Sequence, residues 1–106
     1  MKTIIRASLV VLAVAFAFST LSVAQGAADL YKTKCATCHG ASGAGDTAMG
    51  KNLKVRDLSS ADVQKQSDSE LTNIIKNGKG KMPKYDGKLT DAQIADLVKY
   101  IRSLKK

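Results

Sequence analysis

Apolar and polar residues alternate at helical spacing over residues 90–106. Thr90 and Gln93 are spaced as the partners of a capping box, and Leu89 and Ile94 flank the cap as a hydrophobic staple. The residues after the cap form one apolar stripe, which comprises Ile94, Leu97, Val98, Ile101 and Leu104. The pattern predicts an amphipathic C-terminal helix that buries this stripe against a core.

A second capping box precedes another apolar pattern in the middle of the chain. Ser67 is placed as the N-cap and Glu70 as the third helical residue. The apolar positions that follow are spaced i, i+3 and i+4, and they are Leu71, Ile74 and Ile75. Gly78 ends this predicted helix and begins a loop that extends to Pro83.

The remaining segments predict helix or loop. Residues 27–38 favour a first helix, which Gly40 ends. Residues 41–50 are small and rich in glycine, so they predict a loop, and residues 59–66 favour a short helical turn. No segment shows the period-two alternation of a strand, and the sequence therefore predicts an all-α fold.

The N-terminal residues have the pattern of an export signal. Lys2 and Arg6 precede an unbroken apolar run at residues 9–18, and residues 22–24 are Ser-Val-Ala, which suits signal peptidase. We therefore predict a signal peptide at residues 1–24. An uncleaved membrane anchor is the alternative, although the run is shorter than the roughly 20 residues that a spanning helix needs.

Cleavage would leave residues 25–106 as one small exported domain, with the periplasm as the expected compartment. A domain of this size buries a modest core and usually needs an additional constraint on the chain. The net charge of the whole chain is +8, and it becomes +6 without Lys2 and Arg6. For an exported chain with few aromatic residues, this surplus favours acidic protein partners over nucleic acid. We expect a monomer without a membrane span.

The most specific motif of the chain is Cys35-Ala36-Thr37-Cys38-His39. A C-x-x-C-H run is the signature of covalent c-type haem attachment. On a helix, Cys35 and Cys38 share a face, so each thiol can add to one haem vinyl group. His39 lies four residues after Cys35 and points the same way, which lets its imidazole reach the iron. The motif predicts one covalently bound haem c.

Other uses of the two cysteines fit the sequence less well. A thioredoxin-type redox pair belongs after a strand in a βαβ unit, and no strand pattern precedes Cys35. A structural zinc site needs four ligands, whereas the chain has two Cys and one His. A disulfide across two intervening residues would constrain the chain little. Haem attachment is the interpretation that uses all three residues.

The second axial ligand is predicted to be Met82. His39 is the only histidine, so a methionine thioether is the remaining candidate of the kind that cytochromes use. Met49 follows His39 by only ten residues and should stay on the same haem face. Gly80 allows close approach of the backbone, and Pro83 keeps Met82 extended. The alternative is that Met82 fills a gap in the core.

These motifs resemble those of the small class I c-type cytochromes, which carry one haem with His and Met ligands. The resemblance covers residues 26–106 and rests on residues 35–40, 81–83 and 97–102. It implies three to four helices wrapped round one covalently bound haem, with the N- and C-terminal helices crossing. The positions at that helix contact would be Ala27, Tyr31, Leu97 and Tyr100.

The resemblance implies an exported electron carrier rather than an enzyme. A peroxidase-like or ligand-binding enzyme with a labile sixth site remains an alternative, as does a haem-free thiol-disulfide oxidoreductase. In this family a proline carbonyl often accepts the N–H of the proximal histidine, but Lys51 stands at that position here. We expect the Lys51 carbonyl to serve instead. Arg56 and Tyr85 are candidates to bind the haem propionates.

The loop around Met82 is rich in lysine. Such a cluster beside the haem edge would steer an acidic redox partner toward it. The alternative is that these are solvated loop charges, which charge runs most often are. The residues concerned are Lys79, Lys81 and Lys84, with Lys51 and Lys54 expected close by.

Overall fold

A computed structural model describes residues 25–106. Within this range the chain is helical and contains no strand, only two isolated bridges, so the predicted all-α class is confirmed. The predicted signal peptide at residues 1–24 lies outside the described residues. The helices are α1 (residues 25–34), α2 (Ala36–His39), α3 (Ala48–Leu53), α4 (Ala61–Gln64), α5 (Asp68–Asn77) and α6 (Asp91–Ser103).

Both predicted capping boxes are formed. The Ser67 hydroxyl accepts from the Glu70 backbone N–H at the start of α5, and the Glu70 carboxylate accepts from the Ser67 N–H. Thr90 and Gln93 make the same reciprocal pair at the start of α6. Each pair satisfies two backbone donors that a helix start would otherwise leave unpaired. The beginnings of α5 and α6 therefore follow directly from the local sequence.

The segment predicted as a loop contains a helix. Residues 41–47 are irregular, but α3 begins at Ala48, so the loop prediction is wrong for residues 48–50. The Thr47 hydroxyl caps α3 by accepting from the Gly50 N–H at 2.9 Å. Gly50 lies against α2, where an added Cβ would collide with the Cys38 carbonyl oxygen. Packing on α2 thus overrides the low helix propensity of glycine.

The core lies between α1, α5 and α6. Tyr31, Ile94 and Leu97 are the most deeply buried large side chains among the described residues, each with at most 2% of its surface exposed. The Tyr31 and Tyr100 rings lie 4.8 Å apart between centroids and join α1 to α6. The predicted contact between the first and last helices is thereby confirmed at these aromatic positions.

Polar contacts fix the end of α6 against the middle of the chain. The Gln64 side-chain amide donates to the backbone carbonyls of Leu58 and Ile101 at 2.8 and 2.9 Å. Arg102 donates to the Gln64 carbonyl at 2.8 Å and pairs with Asp68 at 2.9 Å. These bonds hold the connection between α4 and α5 beside the core. Within residues 25–106, no helix has both the length and the apolar character needed to cross a membrane.

Candidate functional site

A largely apolar cavity of about 300 Å³ opens between the helices. The four residues that the sequence predicts as haem ligands all line it, although they come from distant parts of the chain. Cys35 precedes α2, Cys38 and His39 belong to α2, and Met82 lies in the loop between α5 and α6. The fold therefore brings two thiols, one imidazole and one thioether to a single cavity.

One ring nitrogen of the His39 imidazole has no partner in the part of the chain that the structure describes. Burial lowers the pKa of His39, so the ring is neutral at physiological pH and can bind a metal. Its Nδ1 atom is buried and has no hydrogen-bond partner among the described residues, which is a costly state for a polar atom. The expected bond to the Lys51 carbonyl is not formed; that carbonyl accepts from the Lys54 N–H at 3.3 Å.

The two cysteines are free thiols that are half-buried in the cavity wall. Burial, and then the proximity of Cys38, raise the pKa of Cys35 to about 11. Thiol-disulfide enzymes need the opposite shift, because the thiolate is their nucleophile. Among the described residues, no cluster of three His, Cys, Asp or Glu side chains is arranged for a metal ion. Neither the thiol-redox nor the zinc alternative gains support.

The loop that carries Met82 is folded tightly and tied to its surroundings. The Met82 N–H donates to the Lys79 carbonyl at 3.0 Å. Gly78 has φ +77°, and an added Cβ would lie 2.7 Å from the Met82 carbonyl oxygen, so this turn requires glycine. The Tyr85 hydroxyl donates to the Lys34 carbonyl at 3.0 Å and joins the loop to α1.

The two propionate candidates differ in the structure. Arg56 and Tyr85 both line the cavity, but the Tyr85 hydroxyl already donates to the Lys34 carbonyl. Burial raises the pKa of the Tyr85 hydroxyl, and Cys35 and Cys38 raise it to a smaller extent. The hydroxyl therefore keeps its proton. Arg56 is exposed and makes no hydrogen bond or ion pair within residues 25–106. Arg56 therefore remains the better candidate.

The charged side chains at the cavity all carry the same sign. Every charged residue among those that line it is basic, and each of them is solvent-exposed. Lys54 is also the only non-glycine residue of the described chain with a positive φ, at 55°. We call this set the basic rim; it consists of Lys34, Lys54, Arg56, Lys79 and Lys81. Lys34 and Arg56 were not part of the predicted lysine cluster, because only the fold brings them to the cavity.

The cavity fits a haem. Its wall is mainly apolar, the paired thiols and the imidazole lie on one short helical segment, and a thioether is presented from a distant loop. The His39 imidazole on this wall makes no hydrogen bond within residues 25–106, so it is available as a metal ligand. These features define a small all-α haem protein of the c type.

Comparisons with known proteins agree with this class. A family model described as cytochrome C oxidase, cbb3-type, subunit III, matches residues 22–101. Cytochrome c6 of Picosynechococcus sp. is 35% identical over 109 residues, covering 95% of this chain and 92% of that protein. Cytochrome c6 of Nostoc sp. is 34% identical over 105 residues, covering 89% and 87%.

A solved structure extends the similarity to the fold. The c-type cytochrome KustC0563 matches with a TM-score of 0.70 at 34% identity, covering 74% of this chain and 96% of that chain. The chain therefore belongs to the small monohaem class I c-type cytochromes. It holds a covalently bound haem c with iron and is an electron carrier, not an enzyme. The haem supplies the one-electron chemistry, and the chain binds and tunes it.

Proposed function

We propose that Cys35 and Cys38 form the two thioether bonds to the haem and that His39 and Met82 are its axial ligands. The observation that supports this assignment is the convergence of all four side chains on one cavity. Met82 comes from a loop that is hydrogen-bonded to α5 and α1. Because the fold holds both ligands, the coordination should change little between the ferric and ferrous states.

We also propose that the mature carrier is a soluble monomer that works after export, in the periplasm, with acidic redox proteins as its donor and acceptor. The signal-peptide pattern of residues 1–24 supports export. The basic rim supports acidic partners, since no acidic side chain lies among the described residues that line the cavity. Docking there would bring a partner to the opening nearest the haem.

Intact mass under denaturing conditions tests the covalent attachment. Purified mature protein should begin at Gln25 and carry one haem that survives denaturation, because thioether bonds do not depend on the fold. The Cys35→Ala, Cys38→Ala double variant is the control and should lose the haem under the same conditions. A wild-type mass equal to the bare polypeptide would contradict the assignment.

An absorption spectrum of the same sample tests the axial ligands. Sharp ferrous bands together with a sulfur-to-iron band in the ferric form are expected for His/Met coordination. A high-spin spectrum would instead indicate an open sixth site, as in a peroxidase-like enzyme. A protein without visible bands would contain no haem.

A further inference from the structure

Thr47 links α3 to the backbone that carries the predicted iron ligand. Its hydroxyl lies 2.8 Å from the Thr37 carbonyl oxygen and 3.2 Å from that of Cys38, so its one hydrogen is shared between them. The same oxygen accepts from the Gly50 N–H at 2.9 Å. Gly50 lets α3 approach closely, since an added Cβ would collide with the Cys38 carbonyl. Thr47 thus joins α3 to α2, the helix that carries Cys38 and His39.

The next two carbonyls of the motif are held by other donors. The His39 carbonyl accepts from the Gly45 N–H at 2.7 Å. The Gly40 carbonyl accepts from the buried Tyr31 hydroxyl at 2.7 Å. Each backbone carbonyl over residues 37–40 therefore has a donor from outside that segment. Only Thr47 and Tyr31 contribute side chains to this set.

The ring of His39 lacks the support that a metal-bound histidine usually has. Such a histidine normally donates its second ring N–H to a carbonyl or carboxylate, which fixes the orientation of the ring. Here Nδ1 has no partner within residues 25–106, and the Lys51 carbonyl accepts from the Lys54 N–H instead. The position of the imidazole consequently depends on how firmly the backbone of His39 is held.

We propose that Thr47 is a positioning residue for the axial ligand His39, and that it acts through the Thr37 and Cys38 carbonyls. The inference rests on the proposed role of His39.

The position of the Thr47 hydroxyl also predicts an effect on the reduction potential of the haem. The hydroxyl hydrogen of Thr47 faces carbonyl oxygens at the C-terminal, negative end of α2. Without that hydrogen, the negative end favours the more positive ferric state, and the reduction potential falls.

Thr47→Val removes the hydroxyl with little change in shape. The ferric-to-ferrous equilibrium constant should shift toward ferric by roughly two- to fivefold, the size of the interaction between a charge and a helix end. The hyperfine-shifted NMR resonances of the His39 ring should move as well. Thr47→Ser keeps the donor and should restore both properties.

Thr90→Val is the matched control. It removes the same side chain from the N-cap of α6, where the hydroxyl accepts from Gln93 and does not touch the haem motif. Loss of either cap should lower the midpoint of chemical denaturation to a similar extent. Only the Thr47 variant should change the potential and the His39 resonances. An equal shift in Thr90→Val, or none in Thr47→Val, would overturn the proposal.

A second variant keeps the test decisive if Thr47→Val does not retain haem. Thr47→Gly lacks the donor, yet glycine is itself a favoured N-cap residue, so the start of α3 should be kept. The same fall in potential supports the positioning role, and an unchanged potential overturns it. Failure of the underlying ligand assignment is distinguishable, because the wild-type spectrum would then lack the His/Met features before any Thr47 variant is compared.

Discussion

At the scale of single residues, the two methionines of the described chain occupy contrasting environments. Met82 is half-buried, packs against the core and lines the cavity. Met49 lies on α3 with 47% of its surface exposed and does not reach the cavity. A thioether must lie in the cavity to bind iron, so the structure supports the choice of Met82 that the sequence suggested.

Met82→Ala should leave the iron with an open or weakly held sixth position. The reduction potential should fall because the methionine ligand raises it, and cyanide should bind to the ferric form. The sulfur-to-iron absorption band should disappear. Met49→Ala is the control, and its spectrum should match the wild type. Loss of the band in Met49→Ala instead would contradict the ligand assignment.

The residues around the haem were predictable from sequence to different degrees. Cys35, Cys38 and His39 form one local motif, whose spacing alone defines the geometry of attachment. The hydrogen bonding of the His39 ring was not predictable in the same way, because the expected bond to the Lys51 carbonyl is not formed. The Lys51 carbonyl is turned toward Lys54 by the end of α3, and this geometry depends on how α3 packs against α2.

At the scale of helices, α6 carries the largest share of the core. Ile94, Leu97, Val98 and Ile101 are all buried, as the apolar stripe predicted. Leu97 has 1% of its surface exposed and also lines the cavity. Its side chain therefore stabilises both the packing of α6 and the wall of the haem site.

Leu97→Ala should lower the free energy of unfolding by roughly 2–5 kcal/mol, because the substitution leaves a void in a tightly packed core. Chemical denaturation of the haem-loaded protein measures the change. Lys99→Ala lies on the exposed side of the same helix and should change stability by less than about 0.5 kcal/mol. A similarly small loss for Leu97→Ala would place it outside the core.

The helices also differ in how far the sequence defines them. α5 and α6 begin with capping boxes and have apolar positions at helical spacing, so both were predictable from neighbouring residues. α3 was not, since residues 41–50 are dominated by small residues and glycine. Its cap at Thr47 and its contact with α2 become visible only in three dimensions.

At the scale of the whole molecule, the distribution of charge matters more than its total. Three of the nine acidic residues make ion pairs within residues 25–106, all of them away from the cavity: Asp62 with Lys65, Asp68 with Arg102 and Asp91 with Lys76. The basic rim, in contrast, makes no ion pair among residues 25–106. Its positive field is therefore available to an approaching protein.

Electron transfer with an acidic partner should slow as salt concentration rises, because screening limits the field to about 8 Å at physiological ionic strength. Lys79→Glu with Lys81→Glu should slow the bimolecular rate and flatten its salt dependence, while the absorption spectrum stays unchanged. Stopped-flow kinetics over a range of salt concentrations measures both effects.

The control for this test changes the same charge elsewhere. Lys99→Glu with Lys105→Glu alters the net charge equally at exposed positions that do not line the cavity. This variant should affect the rate much less than the first. Wild-type rates that do not respond to salt, or equal effects of the two double variants, would exclude the basic rim as the docking surface.

The left-handed backbone of Lys54 has a conformational cost at a position that belongs to the basic rim. At φ +55°, lysine is less stable than glycine by about 1 kcal/mol, because its Cβ crowds the backbone. Glycine is the usual residue in this conformation at the end of a helix. Glycine would nevertheless remove one of the five charges of the basic rim. If the basic rim is the docking surface proposed for it, Lys54→Gly should make the protein more stable and slow its encounter with an acidic partner.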